Sequence, residues 1–215
     1  MQRSPEPELM AEAQQALEYA QADFSEPNGA FVERLLARWQ PQGKVVDLGC
    51  GPADIPVRLA RRCSEVLIDA VDGSRAMLDW GQQAIDAAGV TTVTLHCAQL
   101  QQLQLSGRYS AVLSNSLLHH LHEPALLWRC VKQLAAPGAW VLVMDLMRPP
   151  SPEAAAALVE QHAADAPPIL KKDFLASLHA AFSVQEVREQ LREAGLSQLT
   201  VEPVSDRHLV VEGRL

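Results

Sequence analysis

The stretch VVDLGCGPAD, Val45 to Asp54, decides how this chain folds. Its first half is a short apolar run that indicates a buried strand, and the residues after it show a helical pattern. Between the two, Gly49 and Gly51 let the backbone turn tightly and approach a ligand with no side chain in the way. The stretch therefore predicts a strand, a ligand-binding turn and a helix in succession.

The alternation of strand and helix continues along the chain. Further strands are predicted at Val66–Asp72, Thr91–His96, Tyr109–Asn115 and Ala139–Asp145, with helical patterns between them. This alternation indicates βαβ units and a parallel sheet covered by helices on both faces. At the end, Ser183 and Glu186 form a capping box for a last helix, and two strands joined by Ser205-Asp206 follow as a hairpin.

The whole chain, residues 1–215, is predicted to form one domain in four parts. These are an N-terminal helical cap (1–40), a cofactor-binding core (44–147), a helical insertion or lid (148–182), and a terminal helix with a β-hairpin (183–215). Within the cap, the helical pattern is expected to break at Asn28-Gly29. The insertion follows the fifth strand, so it falls on the face where open α/β sheets bind ligands.

Composition and charge exclude several classes of function and binding site. The 215 residues carry 26 acids against 18 bases, a formal net charge of −8, and no long basic run, which disfavours nucleic acid as a partner. The four cysteines are far apart, so neither a disulfide framework nor a zinc knuckle is expected. No apolar run is long enough to cross a membrane, and we expect a cytoplasmic protein.

An acid at the end of the second strand indicates the kind of cofactor. Asp72 follows Gly51 by 21 residues, where a carboxylate can accept hydrogen bonds from both ribose hydroxyls. A third glycine, which would cradle a dinucleotide pyrophosphate, is missing after Gly51, and the chain has no Tyr-x-x-x-Lys pair. These features favour an adenosine-containing cofactor and disfavour NAD.

Four motifs in order resemble those of class I S-adenosylmethionine-dependent methyltransferases. They are VVDLGCGPAD, DAVDGSRAML, SNSLLHHLHEP and QLAAPGAWVLVMDLMRPP, and they are most similar to the small-molecule "type 11" group. The resemblance implies a three-layer αβα Rossmann-like sandwich. Its seven-stranded sheet would be mostly parallel, in the order 3-2-1-4-5-7-6, with the last strand antiparallel.

The resemblance also implies the residues that bind S-adenosylmethionine. Asp47, Gly49, Cys50 and Gly51 would surround its methionine part, and Asp72 would hold the ribose. Gly73 would lie beside Asp72, the adenine would lie against Met77, and Gln99 would take the place of the aspartate that such enzymes often carry. Leu100 is a further expected cofactor contact. Asn115 and Ser116 would meet the amino-acid part, and Tyr19 would fold over the mouth of the site.

Three of the seven histidines stand together as His119, His120 and His122. On an α-helix, His119 would share a face with Asn115, and we take it as the catalytic residue, which would act as a base or orient the substrate; its alternative role is packing. Only His119 and His122 would share a helix face, and no cysteine pair or H-E-x-x-H motif supports them, so no metal site is predicted.

Other candidates lie where an acceptor would bind. The proposed substrate contacts are Phe24, Asn115, His119, Asp145, Arg148, Asp173 and Arg207. Each also has an ordinary structural role open to it, as a turn-stabilising carboxylate, a surface ion pair or a helix start. The two arginines favour an acceptor that bears a carboxylate.

The sequence predicts transfer of a methyl group from S-adenosylmethionine to a small-molecule metabolite. The alternative is a non-catalytic S-adenosylmethionine-binding partner or sensor protein. The acceptor atom and the oligomeric state are left open by the sequence.

Overall fold

The computed structural model describes residues 1–7, 17–20 and 22–215. Its seven strands are β1 Lys44–Leu48, β2 Leu67–Asp72, β3 Val93–Cys97, β4 Tyr109–Asn115, β5 Ala135–Leu146, β6 Thr200–Pro203 and β7 His208–Arg214. The helices longer than one turn are α1 Ser25–Leu36, α2 Asp54–Arg62, α3 Arg75–Ala88, α4 Ala125–Leu134, α5 Pro152–His162, α6 Pro168–Ala180 and α7 Val184–Glu193. Two 3₁₀ turns cover Leu100–Gln102 and Leu118–His120.

The sheet has the predicted order, β3-β2-β1-β4-β5-β7-β6. The strands β1 to β5 pair in parallel, and β7 pairs antiparallel with both β5 and β6. The central strands β1 and β4 are buried along nearly their whole length, because helices cover both faces. The three-layer αβα fold is confirmed.

Each face of the sheet has its own apolar core. On one face, Leu127 and Trp128 of α4 and Val187 of α7 pack against the strands. The indole N–H of Trp128 donates to the Gln190 side chain at 3.0 Å, so this buried donor is satisfied. On the other face, Phe31 and Leu35 of α1 pack with Ile55 and Leu59 of α2. The two cores hold the carboxyl ends of β1, β2 and β4 at one edge.

The predicted break at Asn28-Gly29 is wrong, because α1 runs through both residues. A glycine in a helix costs about 1 kcal/mol relative to alanine. Burial of Phe31 and Leu35 outweighs this cost, since a fully buried side chain of that size contributes about 1.5–3 kcal/mol. Further upstream, helical spacing of apolar residues predicts another helix through Leu9, Ala13, Ala16, Leu17 and Ala20. Residues 8–16 lie outside the described residues, and residues 17–20 are helical.

The segment 148–182 forms two helices, α5 and α6, that pack on one another around Val159 and Leu178. Ser151 caps α5 by accepting the N–H of Ala154, with Pro152 in the first turn as the sequence indicated. The capping box of α7 is also present, with Ser183 and Glu186 each bonded to the other's backbone N–H. None of the described helices is long and apolar enough to cross a membrane.

Candidate active site

A cavity of about 1330 Å³ opens at the carboxyl ends of β1, β2, β4 and β5. One half of its wall comes from the turns after β1 and β2, and the other half comes from the 3₁₀ turn Leu118–His120 and the helices α5 and α6. Ligands of open α/β sheets bind at this edge, outside the carboxyl ends of the strands.

The turn after β1 is built on two glycines in the left-handed backbone region. The N–H groups of Gly49 and Cys50 both donate to the carbonyl of Val71, at 2.8 and 2.9 Å, which ties the turn to β2. A Cβ on Gly49 would lie 2.9 Å from the Cβ of Leu117, so no larger residue fits there. A Cβ on Gly51 would have no atom of residues 1–7, 17–20 or 22–215 within 4 Å, so Gly51 leaves space for a ligand instead.

Asp72 links the turn to β2. One carboxylate oxygen accepts the N–H of Gly51 at 2.9 Å, and the other accepts the N–H of Ser74 at 2.8 Å. Burial raises the pKa of Asp72, and the two backbone hydrogen bonds partly oppose that rise. Each oxygen keeps a lone pair, so the carboxylate can still accept the two hydroxyls of a ribose.

Asp47 lies deeper in the same wall and is 1% exposed. Burial, with a smaller contribution from Asp72, raises the pKa of Asp47 to about 7. Its Oδ1 is buried and has no hydrogen-bond partner within the described part of the chain. A buried carboxylate in this state suits a cationic ligand group, which would both satisfy the oxygen and favour the ionised form.

The other predicted cofactor contacts also line the cavity. They are Gly73, Met77, Gln99 and Leu100. The thiol of Cys50 is buried beside them, and burial raises its pKa well above the ordinary value, so Cys50 is present as a neutral thiol.

The segment before α1 contributes Tyr19 and Phe24 to the wall of the cavity. The rings of Tyr19 and Phe24 stack at 4.7 Å between centroids, and burial raises the pKa of Tyr19 to about 12. The side chain of Asn28 donates to Asp54 at 2.8 Å and accepts from Asn115 at 3.4 Å. Asn28 and Asp54 are wall residues that sequence reasoning did not select, although Asn28 ends the stretch ADFSEPN that contains Phe24.

His119 lies on the opposite wall and is 3% exposed. Its Nδ1 is 2.5 Å from Oδ1 of Asp145, and Oδ2 of Asp145 accepts the N–H of Leu118 at 2.6 Å. Burial disfavours the charged imidazolium, but Asp145 and Glu6 outweigh burial, so the pKa of His119 is raised. Because Asp145 engages Nδ1, the other ring nitrogen, Nε2, is the one open to a ligand.

A glycine turn, a ribose-accepting carboxylate and a buried histidine thus share one cavity. A sequence family described as "Methyltransferase domain" matches residues 45–138, the span from β1 to the start of β5. This part of the chain is similar to the methyltransferase-domain family, in agreement with the resemblance of its motifs to S-adenosylmethionine-dependent methyltransferases.

Curated relatives match part of the methyltransferase. A trans-aconitate 2-methyltransferase of Mycobacterium tuberculosis is 36% identical over 101 residues, 46% of this chain and 36% of its own length. A ubiquinone biosynthesis O-methyltransferase of Acinetobacter baylyi is 24% identical over 155 residues, 71% of this chain and 63% of its own length. The chain thus spans little more than a third of the first of these relatives.

Solved structures share the fold over nearly all of the methyltransferase. A SAM-dependent methyltransferase from Aquifex aeolicus superposes with a TM-score of 0.68 at 17% identity, covering 94% of this chain and 98% of its own. The plantazolicin methyltransferase BpumL, solved with a desmethyl-plantazolicin analogue and SAH, gives a TM-score of 0.70 at 10% identity, covering 94% of this chain and 89% of its own.

The residues of the cavity fit S-adenosylmethionine. The unpartnered Oδ1 of Asp47 suits the ammonium of the methionine part, and the open space at Gly51 admits a ligand close to the backbone. Asp72 can take the ribose hydroxyls. Asn115 and Ser116 line the cavity as expected, and Ser116 has a φ of +56°, a backbone conformation that L-residues seldom adopt and that clusters at functional sites.

The structure sorts the predicted acceptor contacts into two groups. Phe24, Asp173 and Arg207 line the cavity of the methyltransferase with Asn115 and His119. Asp145 does not reach the cavity, because it lies beneath His119 and orients it. Arg148 is also absent from the cavity wall; its guanidinium donates to Glu186 at 2.8 Å and to the carbonyl of Ala181 at 3.2 Å. Asp145 and Arg148 as direct substrate contacts are therefore corrected to structural roles.

The residues around His119 also differ from those expected. Leu118–His120 is a 3₁₀ turn, so the spacing of an α-helix does not apply, and the His119 and His120 rings lie 4.1 Å apart. His122 instead has its Nε2 2.8 Å from the backbone carbonyl of Glu6. The side chain of Glu6 reaches the cluster and is 11% exposed. Sequence reasoning missed Glu6 because nothing local relates it to a histidine 113 residues away.

Proposed function

We propose that this methyltransferase transfers the methyl group of S-adenosylmethionine to a small-molecule acceptor bound in the same cavity. The observation that carries the proposal is that the cofactor turn and His119 line one continuous space. Its volume of about 1330 Å³ exceeds the roughly 300–1,000 Å³ of an ordinary small-molecule site, which leaves room for an acceptor beside the cofactor.

The chain contributes mainly position and exclusion of water. Bound S-adenosylmethionine supplies an electrophilic sulfonium methyl group. Asp72 and Asp47 fix the cofactor at the two ends of the glycine turn, and the Tyr19–Phe24 pair covers the mouth. Holding two reactants in line can contribute about 7–11 kcal/mol to the barrier reduction.

His119 acts on the acceptor from the other wall. An acceptor hydroxyl or amine must lose a proton on methylation, and Nε2 of His119 can promote this loss in two ways. It can take the proton itself, or it can hold a cation that lowers the pKa of the acceptor group. Asp145 supports both ways, because its bond to Nδ1 keeps Nε2 directed away from the sheet.

A carboxylate-bearing acceptor is the substrate class we propose. Arg207 lines the acceptor half of the cavity together with His162 and His208. The guanidinium of Arg207 pairs with Asp206 at 3.0 Å and also donates to His162, so it is held at the wall in a fixed position. The relative named as a trans-aconitate methyltransferase is consistent with this class. A nucleic-acid acceptor is not proposed, since the net charge is −8.

Calorimetric titration with S-adenosylmethionine, S-adenosylhomocysteine and NADH tests the part of the proposal that concerns the cofactor. We expect micromolar binding of the first two and none of NADH. A screen of small carboxylates and hydroxy acids for S-adenosylhomocysteine release then tests the acceptor half. Arg207→Ala should raise the KM for a carboxylate hit, whereas Arg192→Ala, on the surface of α7, should not.

Two results would count against the proposal. Binding of S-adenosylmethionine without turnover on any acceptor would favour the alternative of a non-catalytic binding protein or sensor. Turnover with equal KM in wild type and Arg207→Ala would remove the carboxylate class and leave methyl transfer in place.

A further inference from the structure

Three ligand-type atoms converge on the acceptor side of the cavity. Oε1 of Glu6 lies 3.4 Å from Nε2 of His119 and 3.2 Å from Nδ1 of His120, and all three atoms lie within 4.8 Å of one another. Ligands at 2.0–2.2 Å from a tetrahedral metal ion are about 3.3 Å apart, so these separations match the edges of such a site.

His119 is oriented as a metal ligand would be. Metal-binding histidines usually donate their second ring N–H to a carboxylate, which fixes the tautomer and the ring orientation. Asp145 occupies this second position, 2.5 Å from Nδ1 of His119, and it is itself held by the N–H groups of Leu118 and Leu146.

His120 provides an independent observation. Its Nδ1 is buried and makes no hydrogen bond to any of the described residues, although it lies only 3.2 Å from Oε1 of Glu6. A short separation without hydrogen-bond direction is expected when two atoms point at a common third position instead of at each other. A buried nitrogen without a partner is costly, and a bound ion would remove that cost.

Glu6 is held in place from outside the cluster. The hydroxyl of Ser177 donates to its Oε1 at 2.9 Å. Two residues before Glu6, the backbone N–H of Ser4 donates to the carbonyl of His179 at 2.9 Å. The guanidinium of Arg3 binds the carbonyls of Ala180, His119 and Leu121 and lies over the Phe182 ring, so it does not neutralise Glu6 by direct contact.

We propose that Glu6, His119 and His120 bind a divalent transition-metal ion, with at least one coordination position open to the acceptor. Two imidazoles and one carboxylate are a ligand set that suits Zn²⁺ and also admits Co²⁺, Mn²⁺ or Fe²⁺. His119 and His120 line the cavity, and Glu6 contacts both of them without lining it, so the open position would face the cavity on the side of the two histidines. The ion would polarise an acceptor hydroxyl or amine and lower its pKa, and the released proton would pass to water.

The role of the ion rests on the proposed function, but its binding does not. Binding is therefore measured without any acceptor, on full-length protein treated with a chelator and dialysed. The probes are Zn²⁺ by calorimetry and Co²⁺ by its visible absorption, which intensifies when the ion enters a four-coordinate site. The variants are Glu6→Gln and His120→Ala, with His162→Ala as the control because His162 lies on the same cavity wall outside the cluster.

We expect one ion per chain in wild type and in His162→Ala. Glu6→Gln and His120→Ala should each bind about 100-fold more weakly, since loss of even an outer-shell partner costs roughly 10–100-fold in metal affinity. All variants should bind S-adenosylmethionine with wild-type affinity, which shows that they fold and separates this test from that of the cofactor site.

Two outcomes would overturn the proposal. One is the absence of any ion tighter than millimolar in wild-type protein that still binds S-adenosylmethionine. The other is stoichiometric binding that neither Glu6→Gln nor His120→Ala weakens, which would place the ion elsewhere. Either outcome would return Nε2 of His119 to direct proton transfer.

Discussion

The two halves of the cavity are built in different ways. The cofactor half comes mainly from residues 47–77, a continuous stretch of strand, turn and helix. The acceptor half brings together His119, Ser177 and Arg207 with Glu6, which contacts both His119 and Ser177; these residues are spread over almost the whole chain. A site made from a continuous stretch leaves a motif in the sequence. A site assembled by packing of distant segments does not.

The largest effect is expected from Asp72→Ala in the cofactor half. This change removes the acceptor for two ribose hydroxyls, and hydrogen bonds to a charged group contribute about 1.5–3 kcal/mol each, so affinity for S-adenosylmethionine should fall at least about 100-fold. Calorimetry measures the loss. Asp86→Ala, on the exposed side of α3, is the control. Unchanged affinity in Asp72→Ala would remove the ribose assignment.

His119→Ala tests the acceptor half. Turnover should fall about 100-fold, within the range for loss of a positioned acid–base group, while affinity for S-adenosylmethionine stays within about twofold. The control is His96→Ala, since His96 pairs with Asp69 on the far side of the sheet. Wild-type turnover in His119→Ala would assign this histidine to packing alone and would leave the acceptor half without its central residue.

Substitutions at the two glycines of the turn distinguish a role in folding from a role in cofactor binding. Gly49→Ala should lower the free energy of unfolding by about 2 kcal/mol, because its Cβ would be strained at φ +77° and would contact Leu117. Gly51→Ala meets no protein atom and should mainly weaken binding of S-adenosylmethionine. Denaturant unfolding and calorimetry on both variants test this, and equal effects of both variants on stability would contradict it.

A pH titration of cofactor affinity examines Asp47. Its pKa of about 7 means that the carboxyl is mostly protonated at pH 6 and mostly ionised at pH 7.5. The ammonium of the cofactor favours the ionised form, so affinity should rise roughly eightfold over this interval. The stability of the free protein should change in the opposite sense. Folding raises this pKa above 3.8, so the contribution of Asp47 is lost as pH rises from about 4 through 7.

Asp47→Asn provides the check on that titration. The variant cannot ionise, so its affinity for S-adenosylmethionine should show no rise between pH 6 and 7.5. A rise of wild-type size in this variant would assign the pH dependence to another group.

The smallest effect is expected from Arg148→Ala. Loss of the bonds to Glu186 and Ala181 should cost about 1 kcal/mol of unfolding free energy, since water can reach the exposed Glu186. The KM of the acceptor should change less than twofold, because Arg148 lies off the cavity wall. A KM effect as large as that of Arg207→Ala would show that the two arginines share one role.

The fold could be predicted almost entirely from the sequence. Most of its strands are short apolar runs, although β5 extends over 12 residues, and its helices carry apolar residues at helical spacing, so local pattern and tertiary burial agree. The capping box at Ser183 and the hairpin after α7 are also local signals. The cofactor contacts after β1 and β2 could be predicted for the same reason, because a glycine turn and an acid lie at fixed distances along the chain.

Prediction from the sequence failed where tertiary packing overrides the local pattern. The 3₁₀ turn at Leu118–His120 is too short to show a periodicity, and Asp145 fixes it from another strand. The position of Glu6 depends on Ser177 and the histidines, all more than 100 residues away. Asn28-Gly29 did not end a helix because the buried face of α1 outweighs the cost of one glycine.

The antiparallel direction of β7 affects how the acceptor range of this enzyme could change. Leu146 pairs with His208, so the start of β7 lies at the same edge as the end of β5. The tight turn before it, closed by bonds between Val204 and His208 and by the Ser205 hydroxyl, places Arg207 on the cavity wall. A longer turn here would extend that wall without breaking the sheet. Each doubling of loop length lowers the free energy of unfolding by only about 0.6 kcal/mol through loop-closure entropy. Insertions at this turn could therefore change the range of acceptors with little loss of stability.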